Sequence, residues 1–240
     1  HVRSRRQRQM CIRDSYWALR GGTGGNFGVV LQVTYRMQRL DQVWAWAISW
    51  DAVHATQVLT LMQAGYMKTG APDALGYMMN LGFQNGVPVY MVQGMFCGSR
   101  EDGLAAIAPL MAIPSAQLLV DKTGTYPDMN VWLEDHPYTL PDNLPDGIAE
   151  TKASGYINTR LSPADWQRII DYFKTSPNPW SLAYLEPYGG AINRYPLADS
   201  AFVHRNVDAD LVVDVFWRNP AERAQMEAWL DGFMQLVRPF

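Results

Sequence analysis

A glycine-rich run near the start of the chain constrains its backbone more than any other stretch. The run reads WALRGGTGGNFGVV from Trp17 to Val30 and places five glycines within the eight positions 21–28. Glycine adopts positive φ at little cost and puts no side chain between its amide and a neighbour. The run therefore predicts a loop that lies very close to another backbone or to a ligand.

The residues after this loop argue against a Rossmann dinucleotide site. Such a site needs G-x-G-x-x-G at the start of a helix, and counting from Gly22 and Gly24 puts Phe27 at the third glycine position. The run 29–35 is rich in β-branched residues and predicts a strand instead of a helix. A nicotinamide site is therefore not supported.

Strands and helices alternate along the rest of the chain. Asn85-Gly86 lies between two alternating runs and predicts a hairpin, and Asp51, Ser162-Pro163 and Asn219-Pro220 predict helix starts. The predicted strands are 42–50, 74–83, 87–96, 116–122, 180–185 and 210–217; the predicted helices are 52–68, 100–111, 126–135, 163–174 and one after Asn219, with a proline-rich loop at 136–147. This order predicts an α+β fold, an antiparallel sheet covered by helices on one face.

The first fifteen residues differ in character from the remainder. They carry five arginines and no apolar periodicity, and residues 10–15 resemble a translated sequencing adapter, so we interpret 1–15 as a non-native segment. A basic arm for nucleic acid and a targeting peptide are the competing interpretations, but no apolar stretch typical of a signal peptide is present.

Removing that segment makes the composition clearly acidic. Lys+Arg falls to 15 and Asp+Glu to 22, so the net charge changes from −3 to −7. This balance predicts no nucleic-acid partner, and no apolar run is long enough to predict a membrane span. Cys97 then remains as the one native thiol, which excludes an internal disulfide.

A second motif far downstream allows a family to be recognised. The chain reads EPYGGAINR from Glu186 to Arg194 and AFVHRN from Ala201 to Asn206. Together with the glycine-rich run, these stretches resemble berberine-bridge-enzyme-like FAD-linked oxidases of the vanillyl-alcohol-oxidase superfamily, which share a PCMH-type FAD-binding domain. The family shows Y-G-G-x-x-x-R and F-P-H-R at these places, with Val203 here where proline is usual.

The resemblance implies a domain organisation and a cofactor. Residues 16–38 would be the C-terminal end of the FAD-binding domain, 39–217 the substrate-binding domain, and 218–240 a helix returning towards the FAD domain. The N-terminal FAD domain and a C-terminal Tyr-x-Asn segment would lie outside this chain, so we expect a fragment that is inactive alone. FAD contacts are implied for Arg20, Gly21, Gly22, Gly24, Gly25, Asn26, Phe27 and Gly28.

Two residues are candidates for catalysis. The family's Tyr in the Y-G-G motif, here Tyr188, can line the substrate pocket, although a buried core tyrosine is an equal alternative. In the family, a Glu or Gln on a later strand faces the substrate and can act as base or orienting group; Val212 or, with a two-residue slip, Asp214 corresponds to it. Both lie on one strand face, and apolar neighbours would raise the pKa of Asp214. A solvated, outward-facing Asp214 is the competing interpretation.

These observations predict an FAD-dependent oxidoreductase that takes hydride from a C–H next to O or N of a sugar, alcohol or amine-type substrate. O2 or another acceptor would reoxidise the flavin. The alternatives are a non-catalytic ligand-binding domain of the same fold and a glycine loop that serves packing alone. The scattered histidines predict no metal site, and the absence of G-x-S-x-G gives no support to a serine hydrolase.

Overall fold

A seven-stranded antiparallel sheet forms the centre of the molecule. The computed structural model describes residues 13–23, 25–68, 70–134, 144 and 146–240. The strands are β1 (Val43–Trp50), β2 (Leu75–Gln84), β3 (Val87–Phe96), β4 (Gln117–Gly124), β5 (Ala149–Ile157), β6 (Leu182–Pro187) and β7 (Ala209–Trp217). They are arranged in the order β4-β1-β3-β2-β6-β7-β5, and the predicted α+β class is confirmed.

The five predicted helices occur in the predicted order, and two short helices, at residues 13–19 and at Gly190–Arg194, were not predicted. Residues 13–19 are helical (α1). The later helices are α2 (Ala55–Gly65), α3 (Arg100–Met111), α4 (Tyr126–Glu134), α5 (Pro163–Phe173), α6 (Gly190–Arg194) and α7 (Arg223–Val237), with 3₁₀ turns at Ala52–His54, Leu197–Asp199 and Pro220–Glu222. Ser162 and Asn219 each form a capping box. The cap predicted at Asp51 is wrong, because its side chain accepts no capping bond and a 3₁₀ turn precedes α2.

Strand β1 is buried on both faces, and this explains how the helices are distributed. Trp44, Trp46 and Ile48 point into the main core, which α2, α3, α5 and α7 cover. Ala45 and Ala47 point the other way and pack with α4 in a smaller core. Helices were expected on one face only. The structure instead places α4 on the opposite face, because the apolar side chains of β1 on that face also need cover.

Beyond α4, the second face of the sheet has no helix over it among the described residues. Strand pairing puts Asn80 of β2 opposite Tyr184 of β6, and Leu182 opposite Asp214 of β7. Because side chains alternate between faces, these positions share the side away from the main core. We call this side the open face.

Two stretches differ from expectation. The run 29–35 was expected to be a strand, but residues 28–42 have no regular secondary structure and Leu31 is 92% exposed. A strand requires a hydrogen-bonding partner, and no described strand pairs with this run. Conversely, β5 was not predicted, and it pairs along its length with β7. Residues 1–12 of the suspected non-native segment, and most of the proline-rich loop, lie outside the described residues.

The last helix, α7, packs against the sheet. Met226, Leu230 and Phe233 of α7 belong to the main core, and α7 contacts α5, β5 and β7. The predicted return of residues 218–240 towards a further domain stays a prediction. Within the described parts of the chain, no helix has the length and apolar character needed to cross a bilayer.

Candidate functional site

The open face carries a cavity of about 610 Å³. Such a volume is typical of sites for small molecules. Strands β2, β3, β6 and β7 form its floor, and α4 forms one wall. Its lining combines apolar and polar side chains: Tyr77, Met78, Asn80, Gln93, Met95, Cys97, Tyr126, Asn130, Leu133, Leu182, Tyr184, Glu186 and Asp214, together with Gly76 and Gly94.

Asp214 lines this cavity. This position agrees with the interpretation in which its side chain points into a pocket, and not with the solvated, outward-facing alternative. The residue is 7% exposed, and its Oδ1 makes no hydrogen bond within the described structure. The Nζ of Lys152 lies 3.7 Å from Oδ1 and is also 2.9 Å from Glu150. Burial raises the pKa of Asp214; the charge of Lys152 opposes this rise only in part. A carboxyl group with a raised pKa suits a general base or acid.

Two further carboxyl groups, on β6 and β7, add to the negative charge of the open face. Glu186 of β6 lies directly opposite Asp210 of β7. Burial raises the pKa of Asp210, and the negative charge of Glu186 adds to this, while His204 lowers it. Tyr184, between Glu186 and Leu182 along β6, also has a raised pKa because it is partly buried and near Asp214. Carboxyl and phenol groups therefore alternate along this side of the cavity.

Tyr188 lies elsewhere. It follows the end of β6 and lines an adjoining cavity of about 280 Å³, which shares Gly76 and Tyr77 with the larger cavity and also contains Asp73. Its ring packs edge-on against Tyr156 at 5.7 Å, and burial together with a hydrogen bond to Tyr156 raises its pKa. The structure thus does not bring Tyr188 and Asp214 into one cavity. Tyr184, four residues earlier on β6, does line the cavity with Asp214, as do Tyr77 and Tyr126.

The glycines after Tyr188 have a local structural reason. A Cβ on Gly189 would lie 3.0 Å from the carbonyl oxygen of Lys68. Lys68 in turn donates its amide to the carbonyl of Tyr188 at 2.7 Å. Gly190 has a φ of +53°, which favours glycine at the start of α6. The close approach at Gly189 is therefore one between two backbone segments.

The first half of the glycine-rich loop packs on the second motif. A Cβ on Gly21, whose φ is +113°, would lie 2.4 Å from Cβ of Phe202. A Cβ on Gly22 would lie 3.2 Å from Cβ of Ala201, and the amide of Gly22 donates to the carbonyl of Ala18 at 2.8 Å. These two predicted cofactor contacts therefore have protein neighbours, and the Gly22 amide is already bonded.

The second half of the loop is open. Gly25 and Gly28 have φ values of +79° and +128°, and an added Cβ would meet nothing within 4 Å at either. Asn26 and Phe27 between them are exposed. This half leaves backbone accessible to a phosphate or a flavin, and its residues fit the FAD that the resemblance implies. Gly24 lies outside the described residues.

Arg20 binds protein groups on the far side of the loop. Its guanidinium donates to the hydroxyl of Tyr195 and, at 3.3 Å, to the carbonyl of Asp199. The ring of Tyr195 also lies 5.5 Å from the charge. Trp17 adds a bond from Nε1 to the carbonyl of Ala198 at 2.8 Å. Through these bonds Arg20 fixes the glycine-rich loop onto the segment 195–202.

A row of contacts links the glycine-rich loop with the cavity. Phe202, which touches Gly21, lies 5.8 Å from the ring of His204. His204 stacks on Tyr156 at 4.3 Å. Tyr156 lies opposite Asp210 in the β5–β7 pairing, and Asp210 lies opposite Glu186 at the cavity. His204 and Arg205 serve this packing, since Arg205 also binds Ser200 and the carbonyl of Ile192.

Of the residues that line the cavity, sequence reasoning singled out only Asp214; the polar residues it missed include Asn80, Tyr184 and Glu186. The period of two along β6 could have found Tyr184 and Glu186, because it puts them on the face that Asp214 shares across β6 and β7. No sequence signal identified Asn80, since the register of β2 against β6 is set only in three dimensions.

Comparison with known proteins gives relatives of one kind. The FAD-linked oxidoreductase YgaK of Bacillus subtilis is 22% identical over 221 residues, which are 91% of this chain and 47% of that protein. The chain thus spans about half the length of the curated relatives it matches. No model of a protein family matches the chain.

Solved structures show the same fold. The berberine bridge enzyme-like protein 28 of Arabidopsis thaliana superposes with a TM-score of 0.80 at 18% identity, over 95% of this chain and 49% of that one. Two others each cover 95% of this chain and 47% of theirs. The grass pollen allergen Phl p 4, with glucose dehydrogenase activity, has a TM-score of 0.77 at 19% identity. Berberine bridge enzyme in complex with (S)-reticuline has a TM-score of 0.76 at 16% identity. The resemblance found in the sequence motifs is confirmed at the level of named relatives and of fold.

Proposed function

We propose that this chain is the substrate-binding part of an FAD-linked oxidoreductase of the berberine bridge enzyme-like kind. The observation that carries the proposal is the contact row from Gly21 through Phe202 and His204 to the acid-lined cavity. It places the two motifs of the resemblance against each other and beside a cavity with a buried carboxyl group. The names of the relatives support FAD as the cofactor.

The cofactor would lie against the open half of the glycine-rich loop. Gly25, Asn26, Phe27 and Gly28 would contact it through accessible backbone, while Gly21, Gly22 and Arg20 hold the loop in place. FAD, when bound, supplies the acceptor for a hydride taken from the substrate. The chain's own residues position the reacting carbon and handle the proton.

Asp214 is the residue we assign to that proton. When a C–H next to a hydroxyl is oxidised, the C–H and O–H bonds break and a C=O bond forms. The hydride carries away two electrons, and a base must take the remaining proton. Asp214 is buried and lines the cavity, and its Oδ1 makes no hydrogen bond beyond the long ion pair with Lys152, so it can accept this proton. The positive charge of Lys152 opposes the rise in the pKa of Asp214 and so favours its ionised form.

The test uses a parent protein in which the upstream coding sequence is joined to this chain. We expect the purified parent to be yellow with flavin absorbance, and to form hydrogen peroxide or reduce an artificial dye with one member of a panel of sugars, alcohols and amines. A parent without flavin would refute the proposal. A flavin-containing parent that oxidises no member of the panel and reduces no dye would favour a non-catalytic ligand-binding role.

A further inference from the structure

We propose that Lys152 is a positioning residue for Asp214, and that Glu150 competes with Asp214 for the charge of Lys152. The balance between the two contacts decides how much of Asp214 is ionised and ready to accept a proton. This inference deepens the proposed function and rests on it for the role of Asp214 in the reaction. The electrostatic coupling itself needs no flavin, so it can be measured on this chain alone.

Strand pairing brings the three charged groups together on the open face. Lys152 of β5 lies directly opposite Asp214 of β7. Glu150 precedes Lys152 by two residues on β5, and side chains two apart on a strand share a face. The ammonium group of Lys152 is therefore within contact of both carboxyl groups.

The ammonium group is closer to Glu150 than to Asp214. Its Nζ lies 2.9 Å from Oε1 of Glu150 and 3.7 Å from Oδ1 of Asp214. Only the first contact has the length of a charge-assisted hydrogen bond. The bond to Glu150 raises the pKa of Lys152, and the charge of Asp214 adds to this rise. Because the lysine stem is flexible, the same group can turn from one carboxylate to the other.

The three groups differ in exposure, and this difference gives the coupling its direction. The side chain of Asp214 is 9% exposed, whereas those of Lys152 and Glu150 are 56% and 38% exposed. Water can replace a lost partner at Lys152 and Glu150, but it reaches the buried carboxylate poorly. Asp214 therefore depends on Lys152 more than Glu150 does. Burial raises the pKa of Asp214, Lys152 lowers it, and the charge of Glu150 raises it further.

The other titratable groups near Asp214 do not replace Lys152. Tyr184 of β6 also lines the cavity, and its pKa is raised by burial and by the charge of Asp214, so it stays neutral at neutral pH. Glu186, further along β6, adds negative charge. Among the described residues that line the cavity, none is a lysine, an arginine or a histidine. Removal of the ammonium group should therefore leave ionised Asp214 without a cation in contact.

Carboxyl-carbon NMR tests the coupling on the 240-residue chain with ¹³C-labelled aspartate, and Asp214→Asn identifies the Asp214 resonance. At the pH at which half of Asp214 is ionised in the unaltered chain, Lys152→Met should show an ionised fraction about fivefold lower or less, because a nearby opposite charge favours ionisation about tenfold or more. Glu150→Gln should raise the ionised fraction. Lys152→Arg, which keeps the charge, should stay close to the unaltered chain.

Lys174→Met is the matched control, because it removes a lysine that pairs with Asp171 on the surface. It should leave the ionised fraction of Asp214 unchanged. In the flavin-containing parent, the rate of flavin reduction should fall at low pH, where Asp214 is protonated. This fall should begin at higher pH in Lys152→Met and at lower pH in Glu150→Gln. A lysine that merely covers the sheet edge with its stem would produce neither displacement, since methionine keeps most of that stem.

An ionised fraction unchanged in Lys152→Met or in Glu150→Gln would overturn the proposal. So would changes in the same direction in both variants, or a change in Lys174→Met as large as that in Lys152→Met. Failure of the proposed function looks different. If NMR shows the expected changes but flavin reduction in the parent does not follow them with pH, the coupling stands and Asp214 is not the proton acceptor.

Discussion

Replacing Gly21 by alanine should release the glycine-rich loop from the segment 195–202. The docked loop is held by a bond from Trp17, which contributes about 1 kcal/mol, and by the bonds and the cation–π contact of Arg20. Alanine at a φ of +113° costs about 1–2 kcal/mol, and its Cβ would also overlap Phe202 Cβ at 2.4 Å and its backbone nitrogen at 2.7 Å. The backbone strain and the overlap together therefore favour release of the loop.

Hydrogen–deuterium exchange measured on a peptide covering residues 13–23 reads this release. Losing about 1–2 kcal/mol of docking free energy should speed amide exchange there by roughly 10-fold, because local opening sets the exchange rate. The melting temperature should stay constant, since the sheet core does not include this loop. Gly25→Ala is the matched control: its φ is also positive, but its Cβ has open space. Equal exchange in Gly21→Ala and the unaltered chain, or the same acceleration in both variants, would refute the reasoning.

Three further predictions concern the core, the buried carboxyl group and the cofactor. Gly103→Ala on α3 should lower the free energy of unfolding in urea by about 1–3 kcal/mol, because its Cβ would lie 2.3 Å from the Trp44 ring, whereas Gly65→Ala, with open space, should not. Burial raises the pKa of Asp214, so the folded state binds that proton more tightly than the unfolded state, and stability falls as pH rises from about 4 towards the raised value. Asp214→Asn should therefore unfold at higher urea than the unaltered chain at neutral pH, with the gain lost near pH 3; an equal gain at both would contradict this. Isothermal titration of this chain with FAD should show weak binding or none, and tight stoichiometric binding would contradict the expectation that most cofactor contacts lie outside it.

Local signals in the sequence predicted most of the fold. Asn85 and Gly86 have φ values of +51° and +76°, as the two-residue hairpin turn between β2 and β3 requires. Ser162 begins α5 with the expected capping box. These features depend on a few neighbouring residues, so a single sequence contains them. Strand β5 was missed because its residues, Ala149–Ile157, are small or polar, as befits an edge strand, and its pairing partner β7 is far along the chain.

The site depended more on tertiary structure. The strand period alone predicted that Val212 and Asp214 share a face, but which face remains uncovered depends on where α4 packs. Tyr188 was singled out by its motif, yet it follows the end of β6, so the alternation that brings Tyr184 to the cavity does not extend to it. The prediction for the run 29–35 failed for another reason: its residues favour a strand, but no described strand pairs with them.

The rate of flavin reduction in the absence of oxygen tests the central claim most directly. In the parent protein, mixed anaerobically with an oxidisable substrate, Asp214→Asn should reduce the flavin at least about 100-fold more slowly than the unaltered protein, since a general base contributes at least that factor. Asp231→Asn, an exposed substitution on α7, should leave the rate unchanged. An unaltered rate in Asp214→Asn would contradict the assignment of this cavity as the site of oxidation.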